Sequence, residues 1–333
     1  MVDGEPAKIQ NVPDELIQFI KTGSKFIVAG HKEPDGDCVG SQLALRSALV
    51  RLGKEAICCS AGPFKRSEIR EYEPFFSTPP QEKDARLIIV DCSGIERLGD
   101  LEKKLEGLPV AVIDHHAAGT HLPSTPQAPV YLDADTPSCA LLVYNLINAL
   151  ELEPSPEEAK MLLFGICTDS GFFRHLTEKS AGCFKAVAEL IRLGASPKET
   201  YQKIYGGKKL DSRIFLGHTL SRTESHFDGK LLVSHETLEE FNEFGFEGRD
   251  SDSLNQLLQT VSGIEATVII RQELADACTV SLRSTDKIDV AQIAASFGGG
   301  GHKNAAGLTM KGNVSFVKEK VLESFKNIFH LKA

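Results

Sequence analysis

The chain contains 333 residues, with 37 Lys and Arg against 46 Asp and Glu, a formal net charge of -9, 8 Cys and no Trp. This length favours two domains, each large enough to bury a core, and the 41% content of apolar residues excludes disordered and collagen-like chains. The acidic balance argues against a protein that grips long duplex nucleic acid through a basic face, whereas a short phosphorylated ligand is compatible with it.

Hydropathy and cysteine spacing predict the compartment. The longest apolar runs, at 87–90 and 161–166, are far shorter than the roughly 20 residues of a membrane span. The amino terminus has no basic stretch followed by an apolar segment, and the cysteines form no CxxC pair. The sequence therefore predicts a cytoplasmic protein with reduced thiols and no membrane partner.

The first two hundred residues alternate short β-rich apolar runs with helical patterns. Strands are predicted at 25–30, 55–60, 87–91 and 111–116. Helices are predicted at 39–52, 137–150, 156–167 and 178–193. Continuous apolar strands separated by helices indicate a parallel sheet with helices on both faces. The sequence thus predicts an α/β domain over residues 1–193.

The second part of the chain follows a different order. Residues 194–224 contain Gly and Pro and a helical pattern at 211–222, which predicts a linker with a connecting helix. The elements predicted beyond it are strands at 224–234, 265–272, 277–284 and near 307–310, helices at 251–262 and from Asp289, a glycine cluster and a final helix. Residues 225–333 are therefore predicted to form a smaller α+β domain.

The first strand leads into the segment GHKEPDGDCVGS, which contains three potential metal ligands. His31, Asp35 and Asp37 are predicted to lie in a loop that Pro34 restrains and two glycines loosen. In an extended loop Asp35 and Asp37 would point to opposite sides and would serve two different ions. The alternative is a solvated turn, because PDGD is also favourable turn chemistry.

More acids and histidines follow the later strands. LIIVD ends in Asp91, AVIDHH ends in Asp114, His115 and His116, and Asp169 follows the apolar helix MLLFGIC. Open parallel sheets place their ligand sites at such strand ends, and a group of buried acids is costly to desolvate without cations. The pattern predicts a metal centre. Taken singly, a helix cap for Asp169, a surface acid for Asp91 and a core histidine for His115 are alternatives.

The segments HKEPDGDCVGS, VDCSG, IDHH and TDSG resemble, in order and separation, the four motifs of the DHH phosphoesterase superfamily. The segments SLRS at 281–284 and GGGGHKNAAG at 298–307 are similar to the DHH-associated domain. The two-domain size most resembles the subfamily of oligoribonucleases that degrade nanoRNA and dephosphorylate 3′-phosphoadenosine 5′-phosphate. The resemblance implies an active site in the cleft between the two domains.

The resemblance also implies two Mn²⁺ ions, for which Mg²⁺ or Co²⁺ could substitute. The implied ligands of the first ion are His31, Asp35 and Asp91. The implied ligands of the second ion are Asp37, Asp91, His115 and Asp169. Carboxylates and imidazoles without a thiolate independently favour Mn²⁺ or Mg²⁺ over structural zinc. Two such ions would activate a water and stabilise the attacking and leaving oxygens of a displacement at phosphorus, which implies phosphodiester hydrolysis.

The remaining candidate residues are assigned to catalysis and to substrate binding. The family pattern implies that His116 is a general acid or phosphate donor that faces away from the ligand register, and Asp114 is predicted to orient a ligand histidine. The predicted substrate-binding residues are Arg174, Arg283, Ser284, Gly299, Gly300, Gly301, His302 and Asn304. Glycines let backbone amides approach a phosphate, and a guanidinium binds phosphate bidentately. The alternative for the glycine cluster is a mobile hinge, and the alternative for Arg283 is a surface salt bridge.

The leading hypothesis is a two-metal hydrolase of short 5′-phosphorylated RNA or DNA oligonucleotides that releases mononucleotides and also acts on 3′-phosphoadenosine 5′-phosphate. A cyclic or linear dinucleotide phosphodiesterase, an exopolyphosphatase and a pyrophosphatase use the same site chemistry and stay open. Non-catalytic alternatives are a nucleotide-binding sensor and an RNA-binding editing appendage. A homodimer is also left open. A base-stacking surface would distinguish nucleotide substrates from polyphosphate, but the sequence does not locate one.

Overall fold

A computed structural model describes residues 11–79, 84–116, 128–285 and 287–330. The chain divides into two compact units, residues 1–207 and 208–333, with the division inside the range predicted as a linker. Over the described ranges, no helix combines the length and apolar character needed to cross a membrane.

The first unit is built on a five-stranded parallel sheet of order β2-β1-β3-β4-β5. Its strands are β1 (Lys25–Gly30), β2 (Glu55–Cys59), β3 (Arg86–Val90), β4 (Val110–Asp114) and β5 (Val130–Leu132). The four predicted strands are confirmed within a residue or two. The short edge strand β5 was not predicted, because three residues give too little alternation to recognise.

Helices cover both faces of this sheet, as predicted. They are α1 (Asp14–Thr22), α2 (Gly36–Arg51), α3 (Glu102–Leu105), α4 (Cys139–Ala149), α5 (Pro156–Asp169), α6 (Ala181–Arg192) and α7 (Pro197–Tyr205), with short 3-10 helices at Arg70–Phe75, Ile95–Leu101 and Glu178–Ser180. Phe26 and Val28 of β1 pack into the core that contains α2, α4 and α5. Ile27 and Ala29 pack on the opposite face against the 3-10 helix at Ile95–Leu101.

Helices α2 and α5 pack closely, and two glycines of the first motif make this contact possible. A Cβ at Gly40 would lie 2.5 Å from the carbonyl oxygen of Met161, and one at Gly36 would lie 2.3 Å from Oγ1 of Thr168. The prediction that these glycines loosen a loop is therefore wrong. The segment enters α2 directly, because Asp35 caps the helix. Its Oδ1 accepts hydrogen bonds from the backbone amides of Asp37 and Cys38.

The second unit contains a six-stranded mixed sheet of order β10-β11-β9-β8-β7-β6, in which β7 and β8 are parallel and the other neighbours are antiparallel. Its strands are β6 (Glu224–His226), β7 (Leu231–Glu236), β8 (Ala266–Leu274), β9 (Ala277–Ser284), β10 (Gly300–His302) and β11 (Ala305–Lys311). The strands predicted at about 224–234 are β6 and β7, which are separated by a turn with positive φ angles at residues 227–229.

Helices pack on both faces of the second sheet as well. They are α8 (Leu210–Ser221), α9 (Leu238–Gly248), α10 (Ser251–Gln259), α11 (Val290–Ser296) and α12 (Val314–His330). Val268 of β8 belongs to the core formed with α11 and α12, whereas Ile269 packs with α10. Leu216 and Leu220 of α8 pack against the α10 side, so this helix, predicted only as a connection, belongs to the second unit.

Candidate metal centre

The candidate centre lies at the carboxyl ends of β1, β3 and β4. His31 directly follows β1 and Asp91 directly follows β3, at the point where the strand order reverses. Such a switch point is where open α/β sheets bind ligands. The structure brings together all of the residues predicted as metal ligands: His31, Asp35, Asp37, Asp91, His115 and Asp169.

Asp91 occupies the middle of this cluster. Its Oδ2 is 3.4 Å from His31 Nε2, and its Oδ1 is 3.4 Å from His115 Nε2. The residue has a φ of 60°, a left-handed conformation that aspartate tolerates better than bulkier residues do. With 2% exposure, Asp91 is not the surface acid that was the alternative prediction.

The two histidines that flank Asp91 share one orientation. His31 Nδ1 is 2.9 Å from the carbonyl oxygen of Lys32, and His115 Nδ1 is 3.3 Å from that of Thr136. Because a carbonyl oxygen can only accept, each Nδ1 carries a proton and each Nε2 is turned toward the carboxylates. Metal-ligating histidines typically have this arrangement.

Asp37 is completely buried at the start of α2. Its carboxylate accepts hydrogen bonds from the backbone amides of Cys139 at 2.6 Å and Ala140 at 2.9 Å, which begin α4. These amides and the helix dipole stabilise negative charge. Even so, burial and the charges of Asp91 and Asp169 raise the pKa of Asp37 well above its usual range.

The prediction that Asp35 and Asp37 lie in an extended loop is wrong, although the two side chains do have different neighbours. They do not lie in an extended loop, since Asp35 caps α2 and Asp37 lies in its first turn. They nevertheless face different histidines: Asp35 Oδ1 is 3.9 Å from His31 Nε2, and Asp37 Oδ2 is 3.9 Å from His115 Nε2. The solvated turn is wrong, because Asp37 has no exposed surface.

Asp169 is the last residue of α5, so the alternative prediction of a helix cap is also wrong. Its Oδ2 lies 3.2 Å from His115 Nε2. Burial raises the pKa of Asp169 to about 6. Burial acts to lower the pKa of His115, but the neighbouring carboxylates outweigh it and raise that pKa to about 9. Both pKa values are raised, as expected for a buried site with more negative charge than its own histidines compensate.

The donor atoms of this cluster fit divalent cations. Within the described ranges, the buried atoms Asp91 Oδ1 and His115 Nε2 have no hydrogen-bond partner, which is costly unless another group satisfies them. The sequence analysis did not identify Cys38 as part of the site, although it directly follows Asp37. Its sulfur lies near the donor atoms of His31 and Asp91. Burial raises the pKa of Cys38 to about 12, so it is a thiol, and the donors are carboxylates and imidazoles.

His116 and Asp114 form a pair beside the cluster. His116 Nδ1 is 2.7 Å from Asp114 Oδ1, and this hydrogen bond raises the pKa of His116. The rings of His115 and His116 lie 4.4 Å apart, so the prediction that His116 faces away is wrong: β4 ends at Asp114 and strand alternation no longer applies. Asp114 is buried and orients His116, instead of a histidine from the predicted metal set.

The predicted substrate-binding arginines are free of carboxylate pairing in the part of the chain that the structure describes. Arg174 is exposed, and its Nε donates to His175 Nε2 at 3.1 Å. Arg283 is partly buried on β9 and donates to the carbonyl oxygen of Leu282 at 3.0 Å. Among the described residues, Arg283 therefore does not form the surface salt bridge that was the alternative.

The other residues of that predicted set differ in availability. The buried hydroxyl of Ser284 donates to the carbonyl oxygen of Ile288 at 2.7 Å, so it serves the interior of the second unit. The backbone oxygen of Asn304 accepts from the Ser284 amide, and His302 is exposed on β10. That strand pairs with β11, so the glycine cluster is not a free hinge.

Two of the glycines have packing reasons. A Cβ at Gly299 would lie 2.3 Å from the carbonyl oxygen of Gly307, and Gly301 has a φ of 146°. Gly300 has open space around the position of a Cβ and is exposed. The motif therefore combines glycines that the sheet itself requires with one that leaves backbone accessible.

Comparisons with known proteins agree with this architecture. The N-terminal domain of the DHH family matches residues 25–166, and the DHHA1 domain matches residues 228–330. A bifunctional oligoribonuclease and PAP phosphatase NrnA of Thermus thermophilus is 34% identical over 90% of this chain and 88% of its own length. An exopolyphosphatase-related protein from Bacteroides fragilis has a TM-score of 0.77 at 22% identity, covering 95% of this chain and 97% of its own. Exonuclease RecJ bound to manganese has a TM-score of 0.52 at 18% identity, covering 95% and 92%. The chain belongs to the DHH family.

Proposed function

We propose that the protein is a metal-dependent hydrolase that cleaves short 5′-phosphorylated oligonucleotides to mononucleotides and removes the 3′-phosphate of 3′-phosphoadenosine 5′-phosphate. The observation that carries this proposal is the buried cluster at the sheet switch point, in which Asp91 Oδ1 and His115 Nε2 lack hydrogen-bond partners among the described residues. The substrate class is supported by the name of the relative that is 34% identical.

We infer that this cluster would hold two divalent ions and that Asp91 would be a ligand of both. His31 and Asp35 would hold one ion, while Asp37, His115 and Asp169 would hold the other. When bound, such ions supply Lewis-acid stabilisation of the phosphoryl oxygens and an activated water. The donor set suits Mn²⁺ or Mg²⁺, and the RecJ relative is a manganese-bound structure.

His116 is assigned as the general acid. Its imidazole side chain is 54% exposed, whereas the Asp114 carboxyl that holds its Nδ1 is buried. The pair therefore turns Nε2 of His116 away from Asp114, and the hydrogen bond raises the pKa of the ring. We infer that His116 donates a proton from Nε2 to the leaving oxygen, and that Asp114 fixes the orientation of the ring.

The second unit is assigned to binding of a substrate phosphate. Arg283 offers a guanidinium without a carboxylate pair in the described ranges, and Gly300 and His302 are exposed on the edge strand β10. Backbone amides and a guanidinium together are suited to phosphate oxygens. Ser284 is not included in this assignment, since its hydroxyl is used inside the unit.

A substrate panel tests the proposal. Purified protein is incubated with Mn²⁺ and, in separate reactions, a 5′-phosphorylated triribonucleotide, 3′-phosphoadenosine 5′-phosphate, a cyclic dinucleotide and polyphosphate. We expect mononucleotides from the first and adenosine monophosphate from the second, with no product after chelation by EDTA. Hydrolysis of polyphosphate or of the cyclic dinucleotide alone would refute the proposed substrate class.

A further inference from the structure

A group of aromatic side chains lies just beyond Asp169 in the first unit. The Phe172 ring centroid is 5.2 Å from that of Tyr201 and 6.2 Å from that of Tyr205, and the two tyrosines are 4.9 Å apart. The tyrosines are four residues apart on α7 and so share one face of the helix. Tyr201 is 52% exposed. We call Phe172, Tyr201 and Tyr205 the aromatic platform.

The backbone that carries Phe172 is strained. Gly171, Phe172 and Phe173 have φ angles of 58°, 57° and 75°, three consecutive left-handed residues of which two are bulky. This conformation is unfavourable for phenylalanine, and such strain is concentrated at functional sites. Hydrogen bonds hold it: the Phe172 amide donates to Cys167 O at 2.7 Å and the Phe173 amide to Ser170 Oγ at 3.0 Å.

This turn places the platform residue Phe172 in the segment that directly follows Asp169 of the metal centre. Phe172 is three residues from Asp169, so their Cα atoms are at most about 11 Å apart. That separation is comparable with the reach of one nucleotide from its phosphate to its base. Arg174, exposed and without a carboxylate pair in the described ranges, follows Phe172 by two residues in the same segment.

We propose that the aromatic platform stacks a nucleobase of the substrate whose phosphate is at the metal centre. Aromatic rings bind bases of any sequence through their π faces. This inference rests on the proposed function and sharpens it, because a base-stacking surface makes the site select nucleotides over polyphosphate. Stacking on aromatic rings offers no comparable contact to a substrate without rings.

The test compares two substrates in each protein. One is a 5′-phosphorylated dinucleotide, and the other is the same compound with an abasic residue in place of one base, examined for each position in turn. In the wild type we expect kcat/KM to be roughly 10-fold higher for the base-bearing substrate at one position, the effect of one stacked base. In Tyr201→Ala and Phe172→Leu this ratio should fall toward one, and in Tyr201→Phe, which keeps the ring, it should persist.

Phe75→Ala is the matched control, since Phe75 is 58% exposed in the same unit and its ring contacts Tyr72. Its ratio should equal that of the wild type. If the wild type hydrolyses the base-bearing and abasic substrates equally well, or if Tyr201→Ala and Phe172→Leu keep the wild-type ratio, the platform does not bind a base, while the proposed hydrolase stands. If the wild type hydrolyses neither dinucleotide, the proposed function and this inference both fail.

Discussion

Each unit of the protein buries carboxylates, but the charge of those at the metal centre is compensated differently from that of Glu236 in the second unit. In the second unit, Glu236 is 3% exposed and accepts from Arg249 Nε at 2.6 Å and Arg271 Nε at 3.2 Å. In the first unit, Asp37 and Asp91 are equally buried, yet over the described ranges neither pairs with an arginine or lysine.

The difference separates a structural charge cluster from a ligand site. A carboxylate that is paired with guanidinium groups is neutralised by the protein alone, and removal of one partner is then costly. The cluster around Asp91 has imidazoles in that place, and the neighbouring carboxylates raise the pKa of His31 and His115 against the effect of burial. Substitutions of one carboxylate in each unit can therefore test the contrast directly.

The largest effect is expected from Asp91→Asn. The asparagine tolerates the left-handed backbone and keeps the shape of the side chain, but it removes the charge shared by both proposed ions. We expect loss of most bound Mn²⁺, measured by metal analysis after gel filtration, and a decrease in kcat of about 1,000-fold or more. Unchanged metal content would show that Asp91 does not bridge two ions.

The matched substitution in the second unit is Glu236→Gln. It leaves Arg249 and Arg271 without the buried charge between them, so the free energy of unfolding should decrease by about 3 kcal/mol, measured by urea denaturation. Bound Mn²⁺ per chain should stay at the wild-type value. A protein of wild-type stability, or one that loses metal, would contradict the division between structural and ligand-binding carboxylates.

A third substitution separates proton transfer from metal binding within the first unit. His116→Ala should keep near-normal metal content while kcat falls by roughly 100-fold, because a general acid is removed and the ligand set is not. Asp114→Asn is the companion variant, since it keeps the imidazole and loses the charge that orients it. Loss of Mn²⁺ from His116→Ala would make this residue a ligand, and an unchanged kcat would remove it from the mechanism.

The sequence predicted the elements that position the site better than the local geometry of the site. Continuous apolar runs such as 25–30 and 111–116 identify buried parallel strands, and the acids at their ends then meet at one edge. The position of Asp37 in the first turn of α2 was missed, because the residues PDGD are equally compatible with a loop and with a helix cap. The orientation of His116 was missed because the predicted strand continued to residue 116, whereas β4 ends at Asp114. Side chains alternate between the two faces only within the strand, so an error in its end changes the expected direction of His116.

Contacts between distant segments were beyond the reach of sequence patterns. Nothing near Asp37 indicates that the amides of Cys139 and Ala140 will donate to it across more than a hundred residues of chain. Likewise, the glycines at 299 and 301 read as a phosphate loop, but their contacts with β11 appear only when the strands pair. The one-dimensional pattern gives residue types and periodicity, whereas these roles depend on which elements become neighbours.

The smallest effect is expected from a substitution of Arg283, which tests whether the second unit binds a substrate phosphate. Its guanidinium donates to Leu282 O and Ser281 Oγ without a carboxylate partner in the described ranges, so its charge is available to a phosphate. Binding of a substrate phosphate remote from the reacting one would help position the reacting phosphorus, and its loss should lower kcat/KM more than stability. Arg283→Ala should therefore decrease kcat/KM for a 5′-phosphorylated triribonucleotide by roughly 10-fold, with bound Mn²⁺ and Tm retained.

The preference of the wild type for a 5′-phosphate over a 5′-hydroxyl should shrink in the variant. If that preference is absent in the wild type or survives the substitution, Arg283 does not bind the terminal phosphate. The contrast between Glu236 and the cluster around Asp91 would then not extend to a division of substrate binding between the two units.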